Sequence, residues 1–199
     1  MKRIFVIGAH GQVGTELNFL ASQLQTHSFL FFDRDDLDIT DEDAVHSLLL
    51  KEKFEAVINC AAYTAVDKAE SEKELAFKIN AFGAANLALA SKQSNAKFIH
   101  ISTDFIFDGT ISRPLVETDS PNPISVYGAS KLEGEKLILQ KNPDSLVIRS
   151  SWVYSSFGNN FVKTILRLCK ERELLNIICD QIGTPTYARD LANLILKII

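Results

Sequence analysis

Arg3-Ile4-Phe5-Val6-Ile7-Gly8-Ala9-His10-Gly11-Gln12-Val13-Gly14 opens the chain with an apolar run, three glycines spaced G-x-x-G-x-x-G, and the start of a helical pattern. A strand that turns on glycine into a helix brings backbone N–H groups and the positive end of the helix to one point. That arrangement suits a pyrophosphate. Gly8 serves the tight turn, Gly11 the close approach of the phosphates, and Gly14 the packing of helix on strand. Gln12 and Val13 supply N–H groups between them. The plainer reading, a Gly-rich turn without a ligand, loses weight because strand and helix patterns flank the loop on both sides.

Working outward, short apolar runs alternate with helical periodicity. Strands are predicted at Arg3–Ile7, Ser28–Phe32, Ala56–Asn59, Lys97–Ser102, Ser145–Arg149 and Leu175–Cys179. Their near-continuous apolar character fits strands covered on both faces. Helices are predicted near Gln12–Gln23, Asp41–Glu52 (with Thr40 as N-cap), Ser71–Gln93, Val126–Gln140, Asn160–Arg172 and Tyr187–Ile199. Such βαβ alternation implies an α/β fold, a Rossmann-like doubly wound parallel sheet. Residues 1–150 read as a dinucleotide-binding domain. Residues 151–199 read as the start of a substrate-binding part. The apolar ending Leu196-Lys197-Ile198-Ile199 suggests that this part is incomplete.

Bulk properties narrow the function classes. The 199 residues are 46% hydrophobic and 23% charged, with a net charge of -4. That suits a soluble domain with a sizeable core. No basic block points to nucleic acid, and no apolar run is long enough to span a membrane. The first strand leaves no room for a signal peptide, so a cytoplasmic location is expected. Cys60, Cys169 and Cys179 lack metal-ligand spacing and read as buried small apolar residues in a reducing compartment.

Further cofactor contacts can be placed along the strand ends. Asp33 closes the second strand about twenty residues past the glycines, where an acid can bind the adenosine ribose. That favours NADH, whereas neighbouring Arg34 could pair with the 2′-phosphate of NADPH. Both cofactors stay open. The run Asp33-Arg34-Asp35-Asp36 also reads as a solvated turn. Asp38-Ile39 follows, within reach of an adenine. Ala62-Tyr63-Thr64 ends the third strand, where small residues let a flat cofactor lie on the backbone or merely pack closely.

Catalytic candidates gather at the same edge. Ser102-Thr103-Asp104 ends the fourth strand, and Tyr127-Gly128-Ala129-Ser130-Lys131 begins the next helix. Positions i and i+4 share a helix face. Thr103 is expected to hydrogen-bond a substrate carbonyl and Tyr127 to protonate its oxygen. Lys131 is expected to hold the nicotinamide ribose and depress the Tyr127 pKa. Trp152 can pack on a sugar ring or fill the core. Asp108-Gly109 signals a turn, and the segment 113–123 reads as a surface loop over the site mouth.

Together these motifs resemble the extended short-chain dehydrogenase/reductases, and within them the dTDP-4-dehydrorhamnose reductase family. The narrower match rests on Gly11-Gln12-Val13-Gly14, the run 59–70, Ser102-Thr103-Asp104-Phe105-Ile106-Phe107 and Val126-Tyr127-Gly128 with Lys131. It continues through Ser151-Trp152-Val153-Tyr154, Gly158-Asn159-Asn160-Phe161 and the run 180–186. The resemblance implies that NADPH or NADH reduces a dTDP-bound 4-keto-6-deoxy sugar to dTDP-L-rhamnose. It implies Tyr127 as proton donor, with Lys131 and Thr103, and contacts from Thr103, Asp104 and Trp152 to the nucleotide-sugar. It implies a cofactor lying on Gly11-Gln12-Val13, Asp33, Asp38-Ile39 and Ala62-Tyr63-Thr64. Some members form homodimers through magnesium held by glutamates. Glu16 matches one such position, but Arg189 stands where another glutamate would be, so no metal is expected. Family members continue past the length of this chain. The resemblance also leaves open another reductase or epimerase of the extended group. A third possibility is a non-catalytic, cofactor-binding regulatory subunit like that of eukaryotic methionine adenosyltransferase.

Overall fold

A computed structural model describes all 199 residues. Five strands form the central sheet: β1 (Lys2–Ile7), β2 (His27–Phe32), β3 (Ala56–Asn59), β4 (Lys97–Thr103) and β5 (Leu146–Ser150). Every neighbouring pair is parallel, in the order β2-β1-β3-β4-β5. Chain direction across the sheet therefore reverses between β1 and β3. In doubly wound sheets such a switch point opens a crevice at the carboxyl ends of the strands.

Both faces of the sheet are covered, as the apolar runs require. Phe5 and Ile7 of β1 point to one face, and Ile4 and Val6 to the other. On the first face they meet helices α2 (Glu42–Glu52), α5 (Ala84–Gln93) and α6 (Val126–Lys141) through Val45, Leu49, Leu87 and Ile138. On the second face they meet α1 (Gln12–Ala21) and α8 (Ala188–Ile198) through Val13, Leu17, Leu191 and Ile195. The chain's last helix thus closes the core that its first helix opens. Between these, α3 (Val66–Ala69) and α4 (Lys73–Phe77) lead through a π-helical stretch, Lys78–Gly83, into α5. Beyond the sheet lie a two-stranded pair, β6 (Val153–Tyr154) with β7 (Thr186–Tyr187), and α7 (Phe161–Glu171), none of whose residues is buried.

Three expectations are corrected. Leu175–Cys179 forms no strand, and Leu174, Ile177 and Ile178 are exposed. An apolar run with no sheet edge beside it cannot satisfy its backbone as a strand. Helix α2 begins one residue late, with Asp41 as its cap: its carboxylate accepts from the Ala44 N–H at 3.0 Å. Thr40 is instead drawn back by Asp38, whose Oδ1 accepts from both its N–H and its hydroxyl. Finally, Cys169 and Cys179 are exposed, because α7 and the segment after it lie outside both cores; Cys60 alone packs inward, against the second core. No helix is long and apolar enough to cross a membrane.

Candidate active site

The glycine loop sits at the switch point. Gly8 has φ of 87°, and a Cβ there would lie 2.5 Å from the Ala61 backbone nitrogen. Only glycine lets β1 and the end of β3 approach so closely. Gly14 is equally constrained, since a Cβ would overlap the Gly8 carbonyl. The N–H groups of Gly8 and Ala9 both donate to the Phe32 carbonyl, at 3.0 and 3.1 Å, tying the loop to β2. No side chain caps α1 and no acid lies in its first turn. The helix terminus therefore keeps its capacity for an anion. The backbone cradle that any Cβ would fill, together with this uncapped terminus, fits a dinucleotide pyrophosphate. Val13 is buried in the second core, so its backbone alone can face a ligand. The Gln12 amide reaches the other way, donating to the Val153 carbonyl at 3.2 Å and accepting from Asn160 at 2.9 Å.

Asp33 stands beside the loop, its carboxylate accepting the His10 N–H at 2.8 Å. Asp38 is exposed, with a pKa drawn down by its backbone bond from Thr40 and then by the Thr40 hydroxyl. Ile39 buries its side chain in the first core, leaving its backbone for a ligand. Ala62-Tyr63-Thr64 is set by a residue absent from the sequence reading. The Asn80 Oδ1 accepts the Tyr63 N–H at 2.8 Å, and its Nδ2 donates to the Tyr63 carbonyl at 3.0 Å. The same Nδ2 lies 2.9 Å from the Ser130 hydroxyl, which donates to the Tyr127 carbonyl. Asn80 thus joins the end of β3 to the first turn of α6 from within the π-helical stretch, a local geometry that recurs at functional sites.

Thr103, Tyr127 and Lys131 come together at the end of β4. Ser125 caps α6 by accepting the Gly128 N–H at 3.0 Å, which fixes the turn carrying Tyr127. The Tyr127 ring packs edge-on against Phe105, and its phenol faces the Thr103 side chain. Lys131 is buried; its Nζ donates to the Ile101 carbonyl at 2.7 Å and lies 3.0 Å from His100 Nε2. The expected acidification of Tyr127 by Lys131 is not found. Burial pushes the phenol upward, the Thr103 hydroxyl beside it opposes this, and Asp104 adds a smaller upward push. Lys131 is engaged by β4 rather than by the phenol. Its own pKa is brought down to about 8, first by burial, with Glu135 and Cys60 acting the other way.

Asp104 accepts the Ser151 hydroxyl at 2.8 Å. Trp152 is 40% exposed at a φ of 47°, a left-handed conformation unusual for a bulky residue. Its indole packs at Gly183, so a purely core tryptophan is ruled out. Beneath Thr103, Glu135 accepts from Ser102 and from the Arg149 guanidinium. His100, Asn59, Asn80 and this Glu135–Arg149 pair were all missed from the sequence. Each acts through a partner on another element, a relationship with no local signature.

Comparison with known proteins gives the family. All of residues 1–199 match the family model described as the RmlD substrate binding domain. The dTDP-4-dehydrorhamnose reductase of Aggregatibacter actinomycetemcomitans is 44% identical over 198 residues, 100% of this chain and 67% of the relative. This chain belongs to the dTDP-4-dehydrorhamnose reductase family. The family's enzyme from Salmonella typhimurium is 43% identical, over 96% of this chain and 64% of its own length. A crystal structure of the family's Bacillus anthracis member, in complex with NADP, superposes with a TM-score of 0.94 at 43% identity. It covers 100% of this chain and 70% of that one. Across the curated relatives it matches, the chain spans between 60% and 70% of their lengths. Glu16 is fully buried. It accepts from Arg189 at 2.8 Å and from the Ser155 hydroxyl at 2.6 Å. The guanidinium supplies the positive charge at that carboxylate.

Proposed function

We propose that the chain carries the cofactor-binding and catalytic part of an enzyme that reduces dTDP-4-dehydro-6-deoxy-L-mannose to dTDP-L-rhamnose. The supporting observation is the Thr103–Tyr127 pair, with Lys131 beside it, on the same sheet edge as the Gly8–Gly14 cradle. NADPH or NADH would be held by Gly8, Gly11, Gln12, Val13 and Gly14 at the pyrophosphate. Asp33, Asp38 and Ile39 would take the adenosine end, and Ala62, Tyr63 and Thr64 the end near Tyr127. When bound, the cofactor supplies the hydride that reaches the sugar's C4.

The remaining work falls to side chains. Thr103 orients the keto oxygen. Tyr127 gives its phenolic proton to that oxygen, so hydride and proton together turn ketone into alcohol. Its raised pKa keeps the phenol protonated at neutral pH, as a donor must be. Lys131 holds the nicotinamide ribose. Asp104 and the exposed face of Trp152 meet the nucleotide-sugar.

The test is oxidation of reduced cofactor by this chain with dTDP-4-dehydrorhamnose, with the sugar product identified by NMR. Formation of dTDP-L-rhamnose is expected. Sugar conversion without net cofactor oxidation would assign an epimerase instead. Cofactor binding without turnover, both here and in a chain extended to the relatives' length, would leave a regulatory subunit.

A further inference from the structure

Asn59, at the end of β3, and His100, beside it in the middle of β4, are fully buried, and the proposed mechanism uses neither. Their hydrogen atoms can be counted. The Ala61 N–H can only donate, so the Asn59 amide atom 3.0 Å from it is Oδ1. The other amide atom, Nδ2, then faces His100 Nδ1 at 3.0 Å as a donor. Nδ1 must accept. The imidazole is neutral, because burial pushes its pKa well below the usual value. Its one proton is therefore on Nε2, aimed at Lys131 Nζ 3.0 Å away. An ammonium there would bring N–H against N–H. A neutral amine accepts with its lone pair and still donates to the Ile101 carbonyl.

We propose that Asn59 and His100 are positioning residues that set the proton count of Lys131: Asn59 pins the imidazole as the Nε2–H tautomer, whose N–H occupies the lone pair of a neutral Lys131 amine. Charging Lys131 then takes one proton from outside and a rearrangement within. The imidazole proton moves from Nε2 to Nδ1, the Asn59 amide turns its oxygen to receive it, and the Ala61 N–H is released. Ala61 abuts Gly8 and precedes the segment Ala62-Tyr63-Thr64, so the chain Ala61–Asn59–His100–Lys131 links the cofactor shelf to the lysine beside Tyr127. This meaning rests on the reductase reading; the hydrogen-bond inventory does not. The other groups facing the cluster are Phe98, stacked on His100, the Cys60 thiol, whose pKa is pushed up to about 12 by burial, and Glu135, neutralised by Arg149.

Two NMR measurements without substrate decide it. Long-range proton–nitrogen correlation of the intact chain is expected to show the His100 proton on Nε2 above about pH 8, where Lys131 is neutral; a proton on Nδ1 there overturns the proposal, and this needs no variant. Lysine labelled at Cε then reports the Lys131 titration in Asn59→Asp. A carboxylate there accepts from both Ala61 and Nδ1–H, freeing Nε2 to accept from an ammonium. The midpoint is expected to rise by about one pH unit or more, and an unchanged midpoint in the folded variant overturns the proposal. Neither readout requires turnover, so failure of the reductase reading would leave both results standing.

Discussion

Asn80 holds Tyr63 at both ends of its peptide, accepting its N–H at 2.8 Å and donating to its carbonyl at 3.0 Å. Asn80 is 1% exposed, so water cannot replace it. Asn80→Ala leaves two backbone groups and the Ser130 hydroxyl short of a partner. Urea unfolding is expected to show a loss of about 2–4 kcal/mol, at roughly 1–3 kcal/mol per orphaned group. NADPH titration is expected to weaken as well, because the segment meant to carry the cofactor loses its support. Full cofactor affinity in the variant would remove Asn80 from that role.

Tyr127→Phe keeps the packing on Phe105 and removes only the hydroxyl that faces Thr103. Thermal melting is expected to move little, while kcat falls by about 10²–10⁴-fold, the span of general acid catalysis. An unchanged kcat would assign the proton to another group.

Asp33 lies at the loop with one oxygen on the His10 N–H. If that carboxylate also binds ribose hydroxyls, Asp33→Ala weakens NADH more than NADPH, whose 2′-phosphate gains from losing a neighbouring negative charge. Paired titrations test this, and equal losses would separate Asp33 from the ribose.

Lys131 titrates near 8 in the folded protein against an ordinary 10.5. Below about 8 it is charged in both states, and the cost of burying that charge is fully felt. Between about 8 and 10.5 the unfolded chain binds more protons, so this site stabilises the fold increasingly as pH rises. The stability difference between wild type and Lys131→Met is therefore expected to shift in favour of wild type across that window. Denaturant unfolding at a series of pH values would show it, and a flat difference would contradict the depressed pKa.

Arg189 is the ionic partner of the fully buried Glu16 and also lies over the Phe19 and Tyr187 rings. Arg189→Ala strands a buried carboxylate and is expected to lower Tm clearly. Replacing both residues by leucine is expected to recover much of the loss, since the desolvation of both charges disappears together. A double variant no better than the single one would show that packing, not charge, dominates there.

Much of the fold was legible because its signals are local. Glycine at 8, 11 and 14 announces a strand–loop–helix junction, and apolar runs such as Ile4–Ile7 announce strands covered on both faces. Thr103, Tyr127 and Lys131 stand out in the sequence because their types and spacing suit proton transfer. The failures have one physical root. Leu175–Cys179 has strand composition but no neighbouring strand, and neighbours are set by the whole chain. Cys169 and Cys179 were taken as buried for the same reason. Asn80, His100 and Asn59 act through partners 17 to 50 residues away, a distance at which no window of sequence registers them. The depression of the Tyr127 pKa failed because spacing placed Lys131 on the right helix face without revealing that β4 claims its amine.

The pairing of α1 with α8 bears on how the chain acquires its shape. Glu16 and Arg189 are 173 residues apart, yet α1 carries the phosphate-facing turn and α8 completes its apolar bed. During synthesis the nucleotide loop leaves the ribosome early and can rest on β1, β2 and β3, but the apolar bed of α1 stays unfinished until the distant helix arrives. Any change that delays docking of Leu191 and Ile195 prolongs the interval in which Val13 and Leu17 stand exposed to chaperones and proteases.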